Sequence, residues 1–117
     1  MADTGLDVSI TRLTGASVAC LCGEVDVTTA PALRTAITEA MRSEPDLLVI
    51  DLLAVTFLAS AGLHVLFEAA AAGRPEVRVV AVRRECVRPI RLTGLDTVVS
   101  VHTTVTDALG EGCHRVR

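Results

Sequence analysis

The most apolar region of this sequence is interrupted by a single hydroxyl group. Ser60 stands in the stretch FLASAGLH, which covers residues 57–64, and two small residues follow it. A serine at the start of a helix can accept a hydrogen bond from an unpaired backbone amide, so one hypothesis makes Ser60 a plain N-cap. The same amides and the helix dipole also favour an added phosphoryl group. Ser60 is therefore a candidate helix cap and a candidate phosphorylation site.

Nucleophilic catalysis is a third hypothesis for Ser60, and the surrounding residues do not support it. A hydrolase elbow has glycine two residues before its serine, where this chain has Leu58. The histidines His64, His102 and His114 stand at no spacing that marks a catalytic base. We interpret His64, one helical turn after Ser60, as a surface residue. The sequence also lacks a glycine-rich phosphate loop, so we expect neither an enzyme nor a cofactor.

A second polar stretch, CGEVDVTTAPAL, covers residues 22–33. Glu24 and Asp26 fall on the same face of a predicted strand that ends here. Thr28 and Thr29 are candidate N-caps for the helix that follows. The two carboxylates have no third group to orient them as an acid and a base. Two hypotheses remain, namely a solvated rim leading into the helix, or a polar rim on which a partner docks.

The cysteines give no sign of a metal or redox site. Cys20 and Cys22 lie on one face of an apolar strand, and neither has a second Cys or His pair at zinc-site spacing. Cys86 and Cys113 stand alone in the sequence. We expect buried free thiols and no bound metal.

Composition limits the classes of partner. The chain has 117 residues, which suits one domain over residues 1–117, and its only aromatic residues are Phe57 and Phe67. The formal net charge is -3, and the arginines are spread along the chain. Base stacking and a strong phosphate footprint are both missing, so we expect no nucleic acid. A protein partner or a small ligand fits better.

No membrane segment is expected. The longest apolar run, residues 47–58, contains Asp51 and is shorter than the ~20 residues of a membrane-spanning helix. We interpret it as a core strand. The N-terminal stretch MADTGLDVSI has no basic region followed by an apolar one, so it does not resemble a secretory signal. The expected location is the cytoplasm.

Hydrophobic periodicity predicts alternating strands and helices. Two strands flank a turn at Thr14 and Gly15 and form an N-terminal hairpin. The first helix ends before Pro45. The predicted strands cover residues 6–13, 16–25, 46–53, 76–82 and 97–102. The later predicted helices run from Ser60 or Ala61 to Ala72, from Arg84 to Leu92, and from Thr104 or Thr106 to Leu109. This alternation indicates an α/β domain with a largely parallel sheet.

Pro89 conflicts with the third predicted helix. Inside a helix, a proline removes one backbone donor and clashes with the preceding turn. The conflict disappears if the helix starts near Arg88. The glycine-containing tail from Leu109 onward is expected to fray.

Three stretches carry a family resemblance that spans nearly the whole chain. GEVDVTTAPAL (residues 23–33), LLVIDLLAVTFLASAGLHVLFEAA (47–70) and RPIRLTGLDTVVSVHTTVTDAL (88–109) resemble the STAS domain of bacterial anti-sigma factor antagonists. The resemblance implies a single STAS-type domain. Its mixed, largely parallel sheet has about four to five strands packed with about four helices, and a hairpin opens it.

The resemblance also implies partner switching. In this family the first serine of an Asp-Ser-Ser/Thr-Gly motif is phosphorylated by an anti-sigma factor that is a serine kinase, and Ser60 takes its place. The unmodified antagonist binds the anti-sigma factor and frees the sigma factor, phosphorylation abolishes binding, and a phosphatase resets the system. This chain has Ala59 and Ala61 where the family has polar neighbours.

The resemblance further implies a set of partner-binding residues. Asp51 carries over with two members of that set, Glu24 and Asp26, as an interface or loop-shaping residue. Two alternatives stay open: a STAS scaffold that is not phosphorylated, and a small-ligand-binding domain that uses the start of the second helix. The implied partner-binding residues are Glu24, Asp26, Thr28, Ala59, Ser60, Ala61, Gly62 and His64.

Overall fold

Five strands form one sheet in the order in which they occur along the chain. The computed structural model describes residues 5–114, and side chains up to residue 110. The first two strands pair antiparallel and all later neighbours pair parallel, which confirms the predicted hairpin and mixed sheet. The strands are β1 (Leu6–Leu13), β2 (Ala16–Val25), β3 (Leu47–Leu58), β4 (Glu76–Val80) and β5 (Ser100–His102). β4 and β5 are shorter than predicted.

Four helices alternate with the parallel strands. They are α1 (Ala30–Ala40), α2 (Ser60–Ala71), α3 (Arg84–Thr93) and α4 (Val105–His114). Short 3-10 turns follow α1 at Met41–Ser43 and precede β5 at Leu95–Thr97. α4 is kinked at Gly110, directly after the predicted end of the last helix. The last helix thus extends beyond its predicted end at Leu109 to His114, the fraying of the tail stays a prediction, and residues 115–117 lie outside the described residues.

The sheet is covered on both faces, but unequally. α1, α2 and α3 pack on one face, where Leu48, Ile50 and Leu52 of β3 join the main core. α4 packs on the other face, near Leu47 and Val49. Because the first half of β3 is buried on both sides, its sequence is an unbroken apolar run rather than an alternation.

The second half of β3 departs from regular pairing. Its register against β2 shifts once between Cys20 and Cys22 and again between Gly23 and Glu24, and each shift adds one residue to β3. Buried residues therefore recur at every third position, and the pairs between them face solvent. Leu52, Val55 and Leu58 are buried, whereas Leu53, Ala54, Thr56 and Phe57 are exposed. The strand thus continues to Leu58 instead of ending at residue 53.

α3 contains Pro89, so the predicted helix start at Arg84 is confirmed and the alternative start near Arg88 is wrong. It begins at Arg84 and ends at Gly94, which has the left-handed φ of 81° that suits glycine. Cys86 and Ile90 are fully buried and hold the helix against the sheet. The amide that Pro89 lacks would have bonded the carbonyl of an exposed residue, so its loss leaves a group that water can reach.

The residue that precedes β1 lies at the same end of the sheet as the C-terminal end of β2. The backbone amide of Glu24 donates to the carbonyl of Gly5 at 3.2 Å. Gly5 therefore lies beside the turn that leads from β2 into α1.

Candidate functional site

Asp26 organises the turn between β2 and α1. Its Oδ1 accepts hydrogen bonds from the Thr28 amide at 2.9 Å, the Thr28 hydroxyl at 2.7 Å and the Thr29 amide at 3.1 Å. These bonds, the Thr28 hydroxyl first, hold the pKa of Asp26 below its ordinary value. Asp26 therefore stays ionised at neutral pH and places one negative charge at this rim.

Thr29 serves the turn in a different way from the predicted cap. It occupies the N-cap position of α1, but its hydroxyl makes no capping bond to the helix. Instead Oγ1 donates to the carbonyl of Glu24 and accepts from the amide of Asp26, both at 2.8 Å. Thr28 is exposed and bonds Asp26, so neither threonine side chain caps α1. The hydroxyl of Thr29 is used to close the loop.

Ser60 is the first residue of α2, and the hypothesis that it is the N-cap is wrong. The N-cap is Ala59, whose carbonyl accepts bonds from the amides of Gly62 and Leu63 at 3.0 and 3.1 Å. Ala59 takes the extended conformation that ends β3, so the helix starts at Ser60, one residue earlier than a Ser60 cap requires. Ser60 is exposed, and its hydroxyl has no hydrogen bond to any residue whose side chain the structure describes.

Two contacts bring the Ser60 turn against the end of β2. The amide of Ala59 donates to the carbonyl of Val25 at 2.8 Å. Gly62 is buried, and a Cβ added to it would lie 2.3 Å from Cγ1 of Val25 and 3.0 Å from Cδ1 of Leu58. Only glycine lets α2 start this close to β2. Gly62 thus supports the surface from beneath.

These two turns enclose an open groove of about 690 Å³, here called the Ser60 groove. It contains five of the eight predicted partner-binding residues. Glu24 and Thr28 are exposed nearby but do not line it, and Gly62 lies below it. The lining residues are Asp26, Val27, Ala30, Pro31, Arg34, Ala59, Ser60, Ala61, His64 and Val65.

A charged cluster lies at the side of the Ser60 groove. Glu68 accepts a 2.7 Å hydrogen bond from the Arg34 guanidinium, and its other oxygen lies 3.1 Å from Nε2 of His64. Arg34, followed by His64, holds the pKa of Glu68 below its ordinary value. The predicted surface position of His64 is confirmed, and the cluster links α1 to α2.

Comparison with known proteins settles the family. The family model of the STAS domain matches residues 7–108. The chain belongs to the STAS domain family. The single STAS domain with its mixed five-stranded sheet, its N-terminal hairpin and its four helices confirms the predicted fold class.

Two mycobacterial proteins are similar over most of the chain. The anti-sigma-F factor antagonist RsfB of Mycobacterium tuberculosis is 39% identical over 110 residues, which cover 92% of this chain and 90% of that protein. The crystal structure of an anti-sigma factor antagonist from Mycobacterium paratuberculosis is 40% identical, with a TM-score of 0.81 over 92% of this chain and 94% of the other. Unphosphorylated SpoIIAA has the same fold at 15% identity, with a TM-score of 0.73 over 91% and 96% of the two chains.

Asp51 acts inside the STAS domain rather than at its surface. It is only 7% exposed. Oδ1 accepts a 2.9 Å bond from the amide of Leu53, and Oδ2 accepts a 3.1 Å bond from Sγ of Cys20. The first register shift of β3 falls at this point, so Asp51 pairs with an amide beside the bulge. Asp51 thus stabilises a bulge within β3, whereas the implied roles were at an interface or in a loop.

The cysteines of the STAS domain are not all buried, which corrects the expectation. Cys20 and Cys22 are exposed because they lie on the sheet face with α4, beyond the part that α4 covers. Burial, followed by the hydrogen bond to Asp51, raises the pKa of the Cys20 thiol to about 11. Cys86 is buried, and the side chain of Cys113 lies outside the described part. Among the described residues no group of three or more His, Cys, Asp or Glu could hold a metal ion.

The STAS domain also holds a hydrogen-bonded row that its sequence spacing did not predict. Ser100 Oγ lies 2.8 Å from Nε2 of His102, and Nδ1 of His102 lies 2.8 Å from Oδ2 of Asp107. The amide of Asp107 donates to Oγ1 of Thr104 at 2.9 Å, which fixes the first turn of α4. Serine hydrolases use this order of groups, but the serine here is Ser100, so the row does not test the prediction about a catalytic base for Ser60. Here the row joins β5 to α4.

None of the helices described between residues 5 and 114 is long and apolar enough to span a membrane.

Proposed function

We propose that this protein is an anti-sigma factor antagonist that binds an anti-sigma factor through the Ser60 groove and thereby frees a sigma factor for transcription. Phosphorylation of Ser60 by the kinase activity of that partner ends the binding, and a phosphatase restores it. The observation that carries the proposal is the exposed Ser60 at the first turn of α2. The 39% identical relative is itself an anti-sigma-F factor antagonist. The protein acts as a binding module, in the cytoplasm, without a cofactor.

The fold tolerates a phosphoryl group on Ser60. The hydroxyl is exposed and has no bond within the described residues that modification would break. The first amides of α2 and its dipole stabilise an anion at this end of the helix. Phosphorylation therefore changes the surface without unfolding the turn.

The same modification opposes binding. A phosphoserine adds about -1.5 to -2 charges at neutral pH. The ionised Asp26 lines the same groove, and the Arg34 guanidinium that also lines it is already paired with Glu68, so the added charge joins an existing negative one. A 100-fold loss of affinity requires about 2.7 kcal/mol, which the burial of one unpaired charge at an interface readily supplies.

The experiment combines phosphorylation with binding. The protein is incubated with ATP, Mg²⁺ and one anti-sigma factor at a time. These are the anti-sigma-F factor of Mycobacterium tuberculosis and each anti-sigma factor encoded in the genome that encodes this protein. Intact mass, peptide mapping and calorimetry then report phosphate and affinity. We expect one phosphate on Ser60, none in Ser60→Ala, and at least 100-fold weaker binding by Ser60→Glu. Thr106→Ala, an exposed hydroxyl on α4, serves as the matched control.

A STAS scaffold without phosphorylation is the second candidate. The half-buried Ala59 and Ala61 favour it, because neither flanking side chain can orient the hydroxyl of Ser60. Binding to an anti-sigma factor that is equally tight in wild type, Ser60→Ala and Ser60→Glu, with no phosphate on Ser60, would establish the scaffold and reject the switch. A small-ligand function would instead show turnover or ligand binding that is lost in Ser60→Ala.

A further inference from the structure

A second groove lies on the other flank of the turn that carries Ser60. Phe57 is 48% exposed and Leu92 of α3 is 73% exposed, and with Pro89 they line an open depression of about 440 Å³. We call it the Phe57 groove. Large apolar side chains that meet at an exposed site mark interaction surfaces more often than isolated ones do.

The backbone itself turns these side chains outward. The second register shift of β3 places Phe57 on the exposed side, while its neighbour Leu58 stays in the core. In α3, burial of Cys86 and Ile90 leaves the opposite side of the helix, with Leu92, in solvent. Phe57 and Leu58 are adjacent in β3, so Phe57 cannot turn inward unless Leu58 leaves the core. The exposure is therefore fixed by the fold.

Two unpaired cations flank the Phe57 groove. Arg84 and Arg88 line it together with one acid, Glu85. Among the residues with described side chains, neither guanidinium has an ion-pair or hydrogen-bond partner. The chain as a whole carries a net charge of -3, so this basic site contrasts with the rest of the molecule. A partner segment that matches it has carboxylates around an apolar side chain.

The Phe57 groove and the Ser60 groove are lined by consecutive residues of the chain. Only Leu58 and Ala59 separate Phe57 from Ser60. Leu58 lines the Phe57 groove, and Ala59 lines the Ser60 groove. A protein seated on Ser60 therefore reaches Phe57 without a second docking event. Phosphate on Ser60 and the arginines beside Phe57 act on different parts of such a partner.

We propose that the Phe57 groove binds an acidic segment of the anti-sigma factor, with an apolar side chain packed against Phe57 and Leu92 and carboxylates paired with Arg84 and Arg88. This inference rests on the proposed function. The Phe57 groove carries arginines, whereas the ionised Asp26 lines the Ser60 groove. The partner surface therefore has an acidic part at the Phe57 groove. Nucleic acid is the less suitable occupant, because the protein is acidic overall.

The test measures affinity for the anti-sigma-F factor of Mycobacterium tuberculosis, or for the anti-sigma factor of the same genome that binds wild type, at 50 and 300 mM salt. We expect Arg84→Glu and Arg88→Glu each to weaken binding about tenfold or more at low salt and less at high salt. Arg74→Glu, an exposed arginine before β4, is the matched control and should stay within twofold. Phe57→Ala should weaken binding about tenfold at both salt concentrations.

Thermal unfolding of each variant confirms that the fold is retained. Wild-type binding that the arginine reversals leave within twofold would overturn this inference and leave the proposed function standing. No binding by wild type to any of these anti-sigma factors refutes both proposals together. If ultracentrifugation shows a dimer that Phe57→Ala abolishes, the occupant is a second copy of this chain and the inference is wrong.

Discussion

Gly62→Ala tests whether close packing of α2 on β2 positions Ser60. The added Cβ would lie 2.3 Å from Cγ1 of Val25 and 3.0 Å from Cδ1 of Leu58, where ordinary contacts are about 3.5–4.0 Å. Both neighbours are almost completely buried, so neither can rotate into solvent. Overpacking of this kind destabilises by about 1–3 kcal/mol. Better helix propensity returns about 1 kcal/mol at most, which leaves a net loss of up to about 2 kcal/mol, and the 2.3 Å approach to Val25 places the loss toward the upper end.

The assay is urea unfolding of a double-mutant cycle with Val25→Ala, which removes the methyl group that clashes. Val25→Ala alone costs about 2 kcal/mol through the lost burial and the cavity. In the double variant the new methyl of residue 62 fills part of that cavity, so the two losses should fall short of additivity by about 1 kcal/mol or more. A stability of Gly62→Ala equal to wild type, or strictly additive losses, refutes the packing argument.

Three further predictions concern groups whose partners the structure identifies. Asp51→Asn should speed the reaction of Cys20 with a disulfide reagent at pH 8, because burial and then Asp51 raise the pKa of the thiol from 9.0 to about 11 and the variant removes the contribution of Asp51. It should recover part of the thiolate, which the full shift reduces about 100-fold. Other thiols are replaced by serine, and an unchanged rate contradicts the assignment. His102→Ala should lower the free energy of unfolding by about 1 kcal/mol in urea titrations, since the hydrogen bond to Ser100 within β5 and the hydrogen bond to Asp107 of α4 are lost. Labelling of Ser100 by a fluorophosphonate would instead argue for catalysis. The pKa of Asp26, measured by NMR titration, should lie below 3.8. The stability that its ionised form contributes should be lost as the pH falls through that lowered pKa. A midpoint at 3.8 or above would show that the turn is open in solution.

The fold was predictable where a single requirement, such as burial on both faces of the sheet, determined the residue types. The first half of β3 is buried on both faces, and its continuous apolar run indicates this directly. The second half was not predictable, because its buried positions recur every third residue, a spacing that neither a regular strand nor a helix produces. Pro89 suggested the alternative helix start near Arg88 for a related reason. Local preference disfavours it inside α3, whereas the burial of Cys86 and Ile90 overrides that preference.

The candidate site divides in the same way. The family resemblance implied that Ser60, Asp26 and Ala59 are partner-binding residues. The structure places all three in the lining of one groove, and their binding role stays a prediction. It could not show that Thr29 would close the loop, since a threonine before a helix more often caps it. Ser100 and His102 share one face of a predicted strand by their spacing, but the contact of His102 with Asp107 depends on how α4 packs beside β5, which spacing does not encode.

The bond between Glu24 and Gly5 has a practical consequence for how this protein is handled. A tag or fusion partner placed ahead of residue 5 leaves the domain beside the β2–α1 turn, next to the groove that we propose for the anti-sigma factor. α4 leaves from the other sheet face, where Ala108 packs near the start of β2 and β3. Immobilisation through the C-terminus therefore keeps the Ser60 groove open, and attachment through the N-terminus crowds it.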